Sequence, residues 1–304
     1  MKRIIILKHG GGELANQLWN YVNIYAYGLE IDTPVKNPSF FEYHSFFQLI
    51  RNESFVTKLL SRFFRTPRRR SHIINKIVRF KYSILAKIKR YIHAPCIVSS
   101  ENSDNKVIYL PPSGSVLGRF GKCVILYLTG WLFRNPIGIE KWRSELLRAF
   151  APNQKIMTKI DGILLPLRQK YEKIVGVHIR QGDYAIFKGG KYLVSQERIR
   201  EIVSEYAKEN ILDARKTVFM VASDGAIDQG LYKNLNVYFS KENAVTDLFL
   251  LARADIIIGS DSSFGAFASW YGDIPHIIAK RESMDWDYYR GRASCFRNKY
   301  ATLV

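Results

Sequence analysis

The sequence predicts an α/β protein of two Rossmann-like halves, and three observations carry that expectation. Short β-branched runs alternate with helical segments, a glycine-rich loop separates the first run from the first helix, and a second such series follows Pro152. The chain has 304 residues, 47% of them hydrophobic, enough to bury two domain cores. The expected division is 1–152 and 153–304.

Arg3 to Lys8 reads as a buried strand, Gly10, Gly11 and Gly12 as a loop, and Leu14 to Gly28 as a helix, because its apolar residues recur at helical spacing. The second series places strands at Ile174–Ile179, Thr217–Ala222, Asp255–Gly259 and Pro275–Ala279. Helices are expected between them, at Arg198–Lys208 and Asn243–Ala254. Alternation of this kind implies a mostly parallel sheet covered by helices. One stretch departs from it: Ser54 to Ser100 holds twelve Lys or Arg and no Asp or Glu. Within it Ile74, Ile77, Val78, Leu85, Ile88 and Ile92 recur at three- and four-residue intervals, the pattern of amphipathic helices with basic outer faces. Such a run serves as an ordinary solvated face or as a surface for anionic membrane or another polyanion.

The formal net charge is +19, which favours an anionic partner: nucleic acid, acidic lipid or a phosphorylated ligand. Three scattered cysteines, Cys96, Cys123 and Cys295, indicate neither a disulfide framework nor a zinc site. The run Ile4–Leu7 is too short for a signal peptide, and Cys123–Phe133 falls below the roughly 20 residues that span a bilayer. A cytoplasmic location is expected.

Three motifs carry chemistry. Gly10, Gly12 and Ala15 fit the dinucleotide pattern G-x-G-x-x-[GA] between strand and helix, with Glu30 or Asp32 near the ribose-binding distance. The same glycines would also serve a tight turn. Arg180 follows the strand ending at Ile179, at the carboxyl edge where open α/β sheets bind ligands; its planar fork suits a diphosphate, or a pairing with Asp183 that pins the turn. Ser262 and Ser263 open a helix after the strand ending at Gly259, where hydroxyls and backbone N–H groups take an anion or cap the helix.

Together the segments Gly12-Glu-Leu-Ala-Asn-Gln-Leu-Trp-Asn-Tyr21, His178-Ile-Arg-Gln-Gly-Asp-Tyr184 and Asp261-Ser-Ser-Phe-Gly-Ala-Phe267 resemble the fucosyltransferase superfamily. The bacterial α-1,2-fucosyltransferases (glycosyltransferase family 11-like) are nearest, with patterns GGLGNQLFQY, HxRRGDY and NSSFSWW. Ala222-Ser-Asp-Gly225 is similar to the family's FSDD. The resemblance implies a GT-B-like fold of two Rossmann-like domains facing a cleft, with the N-terminal one on the acceptor side. It also implies an inverting, metal-independent transfer of L-fucose from GDP-fucose to a sugar hydroxyl, galactose O2, of a cell-surface glycan precursor, within polysaccharide biosynthesis. By position, Arg180 matches the arginine that grips the donor's β-phosphate, and Ser262, Ser263 and Phe264 match the phosphate turn. His178 and Asp247 match residues that read guanine; Gly12 belongs to the glycine loop, and Asn16 points from it towards the sugar.

Departures are informative. Gln181 stands where the family has a second arginine, Gly265-Ala266-Phe267 replaces Ser-Trp-Trp, and Glu13 and Ala15 replace two loop glycines. Glu13 is similar in position to a glutamate proposed as general base in a protein O-fucosylating branch, and it would equally balance a helix dipole. Asp285-Trp286-Asp287 matches the DxD of metal-dependent transferases but follows the last strand, so no metal is expected. The basic stretch 54–100 would give peripheral contact with the inner face of an anionic membrane. Two rival functions are an NAD-dependent oxidoreductase using the Gly10-Gly12-Ala15 loop and a basic nucleic-acid-binding protein. The first leaves two motifs unused, and no helix-turn-helix, zinc finger or RNP motif supports the second.

Overall fold

A computed structural model describes residues 4–9, 12–40, 42–49, 96–100, 107–110, 125–130 and 132–290, together with 55, 58, 59, 80 and 84. Most of the basic stretch 54–100, with its three adjacent arginines Arg68, Arg69 and Arg70, lies outside the described residues, as do Gly10 and Gly11 and the cysteine side chains. The chain divides into two units between Asn153 and Gln154.

The first unit contributes β1 (Ile4–His9), β2 (Val35–Lys36), β3 (Cys96–Ser100), β4 (Ile108–Tyr109), β5 (Ile125–Thr129) and β6 (Phe133–Arg134). A parallel sheet in the order β2-β1-β5-β3 forms its centre, and β4 pairs with β6 beside it. Helix α1 (Leu14–Glu30) follows β1 and is buried around most of its circumference, with apolar and aromatic side chains on more than one face. Its buried polar residues hold the chain beyond β5. Asn20 donates to the Gly130 carbonyl at 2.8 Å and accepts from Phe133 N–H at 3.2 Å, and Asn23 accepts from Asn135 N–H at 2.5 Å. Asn135 in turn caps α2 (Pro136–Lys141) through Gly138 N–H, and α3 (Arg143–Ala149) follows. Edge-on rings of Tyr21, Phe40, His44 and Phe150 fill the space beside α1, and burial first, then Lys36, push His44 down to about 3, so it is neutral.

The second unit begins with α4 (Gln154–Lys170) and runs through β7 (Lys173–Ile179), α5 (Gln196–Glu209), β8 (Thr217–Ser223), β9 (Val237–Phe239), α6 (Ala244–Leu251), β10 (Ile256–Gly259), α7 (Ser263–Gly272), β11 (His276–Ile278) and α8 (Trp286–Arg290). All five strands are parallel, in the order β11-β10-β7-β8-β9. Counted within the unit this is 3-2-1-4-5 read from the β9 edge, the order of a doubly wound sheet. Val175, Val177, Ile179, Val221 and Ile258 form its core, covered on one face by Ile199, Ile202, Val203 and Tyr206 of α5. The expected strands and helices of this half are present to within a few residues. The three-residue β9 is an addition, because Val-Tyr-Phe is too short to register as a period.

Candidate functional site

In a 3-2-1-4-5 sheet the connections leave in opposite directions from the first and fourth strands, and the carboxyl ends of those strands form a crevice. Here the two are β7 and β10. The crevice is therefore flanked by the turn after Ile179 and the turn after Gly259. Register pairs His178 with Gly259, and the turns are stitched directly. Ser260 N–H donates to the His178 carbonyl at 3.0 Å, Arg180 N–H donates to Ser260 Oγ at 2.9 Å, and Tyr184 Oη donates to the Asp261 carbonyl at 2.9 Å. Burial pushes the Tyr184 hydroxyl up to about 12, so it remains a donor.

Arg180 is ion-paired on two sides. Its Nε and Nη2 reach Asp183 Oδ1 at 3.0 and 2.8 Å, and its Nη1 reaches Asp224 Oδ2 at 3.0 Å. The guanidinium also lies 5.6 Å from the centre of the Tyr184 ring. The pairing with Asp183 that would pin the turn is thus real, and it engages the Nε and Nη2 side of the guanidinium. Gln181, where the resembling family has a second arginine, faces away. Its Nε2 donates to Ser223 Oγ and to the Ala226 carbonyl, and its Oε1 accepts from Gln196, tying the turn after β8 to α5.

His178 stacks on Phe264, ring centres 5.0 Å apart at 20°. Its ring is buried, and burial, followed by His276 and Arg180, pushes it down to about 3; it is neutral at any working pH and offers one donor and one acceptor. Ser262 is the N-cap of α7: its Oγ accepts from Gly265 N–H at 3.3 Å and lies 3.4 Å from His178 Nδ1. That hydroxyl is buried and engaged in the cap. Ser263 and Phe264, both half-buried, open the first turn. Asp247 stands on the first turns of α6, after β9. It is 7% exposed and accepts a short bond from the Ser240 hydroxyl; burial above all, with Glu242 adding, pushes its carboxyl up to about 6. Arg180, His178, Ser262 and Phe264 are therefore brought together by direct contacts, whereas the bonds of Asp247 are with its own β9–α6 connection.

In the first unit, Gly12, Glu13 and Asn16 sit where β1 gives way to α1. Gly12 has φ +75°, and a Cβ there would meet Asn16 Nδ2 at 2.6 Å, so glycine is required twice over. Glu13 takes the N-cap position in extended conformation without a side-chain cap bond, and its carboxylate is exposed. Asn16 is half-buried one turn on. Gln17 reaches back to the Gly12 carbonyl at 3.1 Å.

Two contributors carry roles that the sequence did not assign. Asp224 bonds both Arg180 and the backbone after it, and Ser260 fixes that backbone from the end of β10. The signal for Asp224 was its place in the Ala222-Ser-Asp-Gly225 segment, which is similar to FSDD. Asp285 and Trp286 of the Asp285-Trp286-Asp287 segment are engaged in structural bonds, one at the start of α8 and one to α5. Asp285 accepts from Tyr288 N–H at 2.9 Å, and the Trp286 indole donates to Glu205 at 3.0 Å. Among the described residues no group of three or more His, Cys, Asp or Glu could hold a metal ion.

No protein-family model matches the chain, and no curated protein is similar to it in sequence. Solved structures share its fold, among them the following three. One is an Arabidopsis thaliana FUT1 point mutant in complex with GDP, 13% identical over 93% of this chain and 71% of that one, TM-score 0.58. The second is POFUT1 in complex with GDP-fucose, 12% identical over 91% of this chain and 98% of that one, TM-score 0.57. The third is the fucosyltransferase NodZ from Bradyrhizobium, 15% identical over 93% of this chain and 97% of that one, TM-score 0.53. At such identities the likeness is one of fold, and it bears out the α/β, GT-B-like class of two Rossmann-like domains.

Proposed function

We propose that the chain is a fucosyltransferase that moves L-fucose from GDP-fucose to a sugar hydroxyl of a cell-surface glycan precursor, with inversion and without a metal. The observation that carries this reading is Arg180, a permanently charged fork at the switch point of a doubly wound sheet. Support comes from the shared fold with NodZ, named a fucosyltransferase, and with POFUT1 bound to GDP-fucose. The galactose acceptor and α-1,2 linkage rest on the motif resemblance.

In this mechanism the bond between fucose C1 and the β-phosphate oxygen breaks while the acceptor oxygen attacks from the opposite face of the ring. Charge accumulates on the departing GDP, and the Arg180 guanidinium, with the N–H groups opening α7, stabilises it where it develops. Asp247 accepts from guanine N1–H and N2–H, a pair that adenine does not offer, and neutral His178 supplies a further contact. The acceptor's proton goes to Glu13. With its carboxylate exposed and free of any cap bond, Glu13 is available as general base. Glu13→Gln should leave GDP binding intact and remove roughly 10²-fold of the rate. A Gln variant with an unaltered rate would confine Glu13 to the helix terminus.

Thermal melting tests the donor. At 100 times the dissociation constant a ligand adds about 2.7 kcal/mol to stability. GDP and GDP-fucose should raise the midpoint in EDTA, and ADP, UDP and NAD should not. A shift with NAD alone would return the Gly12 loop to the oxidoreductase reading, and a GDP shift abolished by EDTA would overturn the metal-independent one.

A further inference from the structure

The two carboxylates on Arg180 are differently built. Asp224 is anchored: its Oδ1 accepts from Gln181 N–H at 2.7 Å and Gly182 N–H at 3.3 Å, leaving Oδ2 to the guanidinium. Residue 182 must be glycine for this, since a Cβ would come 2.5 Å from Oδ2. The Asp224 side chain is 29% exposed. Asp183 is 56% exposed, and among the described residues its carboxylate has no hydrogen bond except those from Arg180. It nonetheless takes two of the guanidinium's donors, Nε and Nη2, the edge that suits bidentate binding of an oxyanion.

We propose that Asp183 is an exchangeable internal anion: it holds the Nε/Nη2 edge of Arg180 until a nucleoside diphosphate takes that edge, and then turns to solvent, while Asp224 stays in place and orients the guanidinium. This rests on the reading of Arg180 as the diphosphate ligand. An exposed carboxylate–guanidinium pair is weakly held in water, whereas a diphosphate brings more charge and more oxygens to the same edge. The exchange keeps Arg180 aligned and the site near neutrality before the donor arrives, at some loss of donor affinity. Asp224 is a positioning residue, and the two carboxylates then have opposite effects on binding.

Calorimetric titration with inorganic pyrophosphate, GDP and guanosine tests the exchange. Asp183→Asn, a change at an exposed side chain, should bind pyrophosphate and GDP about two- to fivefold more tightly, the scale of one exposed ion pair, with guanosine affinity unchanged. Asp224→Asn should bind pyrophosphate more weakly. Its single amide oxygen is claimed by the two backbone N–H groups, which turns the NH₂ against Arg180 Nη1 and displaces the guanidinium. Circular dichroism confirms that each variant is folded. Wild-type binding of pyrophosphate with no gain in Asp183→Asn, or equal gains in both variants, overturns the exchange alone. Absence of GDP and pyrophosphate binding in wild type and both variants overturns the diphosphate reading and the exchange with it.

Discussion

Arg180→Ala is expected to lower turnover with GDP-fucose about 10²-fold or more, the scale for removing one preorganised group that stabilises developing charge. Affinity for GDP should fall too, because alanine leaves the Asp183 and Asp224 carboxylates facing the donor without their shared cation. The two effects separate in a double variant. Adding Asp183→Asn should recover part of the affinity and none of the turnover, since the lost transition-state contact belongs to the guanidinium. Arg180→Lys should recover little of either, because a single ammonium cannot bond Asp224 and present a planar edge at once. Initial-rate measurements of GDP release, with melting curves to confirm folding, decide the matter. A folded alanine variant with near-normal turnover would remove Arg180 from the chemistry.

The second large effect is expected at Asp247 and depends on pH. Burial raises this carboxyl from its ordinary range to about 6, so the folded protein holds the proton more tightly than the unfolded chain does. The protonated form therefore contributes stability that is fully present below about 4, the unfolded value, and is lost as pH rises through about 6. Asp247→Asn carries no charge to bury and can still accept from Ser240. It should match the wild-type midpoint near pH 4 and exceed it at pH 7.5. Recognition runs the other way. Wild-type affinity for guanosine, which has no phosphate to titrate, should fall towards tenfold per unit as pH drops below 6, because protonation blocks one acceptor oxygen. The asparagine variant should bind guanosine weakly at every pH. Equal guanosine affinity in the two proteins at pH 7.5 would take Asp247 out of the nucleotide site, and an unchanged midpoint there would mean that its charge is not costly.

The motifs around Arg180 and Ser262 were legible because each is local: a β-branched run, its end, and the turn residues beyond it lie within a dozen positions of sequence. What those residues touch was not local. Ser260, which holds the Arg180 backbone, is 80 residues away, and Asp224, which holds its guanidinium, is 44 away. Gln181 read as a missing arginine, and the structure gives it a role of its own in tying Ser223, Ala226 and Gln196 together. Distance in sequence also hides the role of two polar residues of α1. Asn20 and Asn23 are fully buried, because the chain beyond β5 needs side-chain partners for its backbone groups.

By itself the sequence determined the alternation of strands and helices, the parallel character of the sheets, the glycine turn before α1 and the placing of an arginine at a strand's carboxyl end. These follow from side-chain periodicity, from glycine's tolerance of positive φ and from where β-branched runs stop, all of which act over a few residues. Only the tertiary structure decided that β10, not β9, lies beside β7. That choice creates the crevice, brings Ser262 and Phe264 against His178, and leaves Asp183 exposed and Asp224 anchored on the same guanidinium. The physical reason is that strand order is selected by burying both faces of the whole sheet and by the direction of each crossover. Those terms sum over contacts scores of residues apart and leave no periodic trace in any one segment.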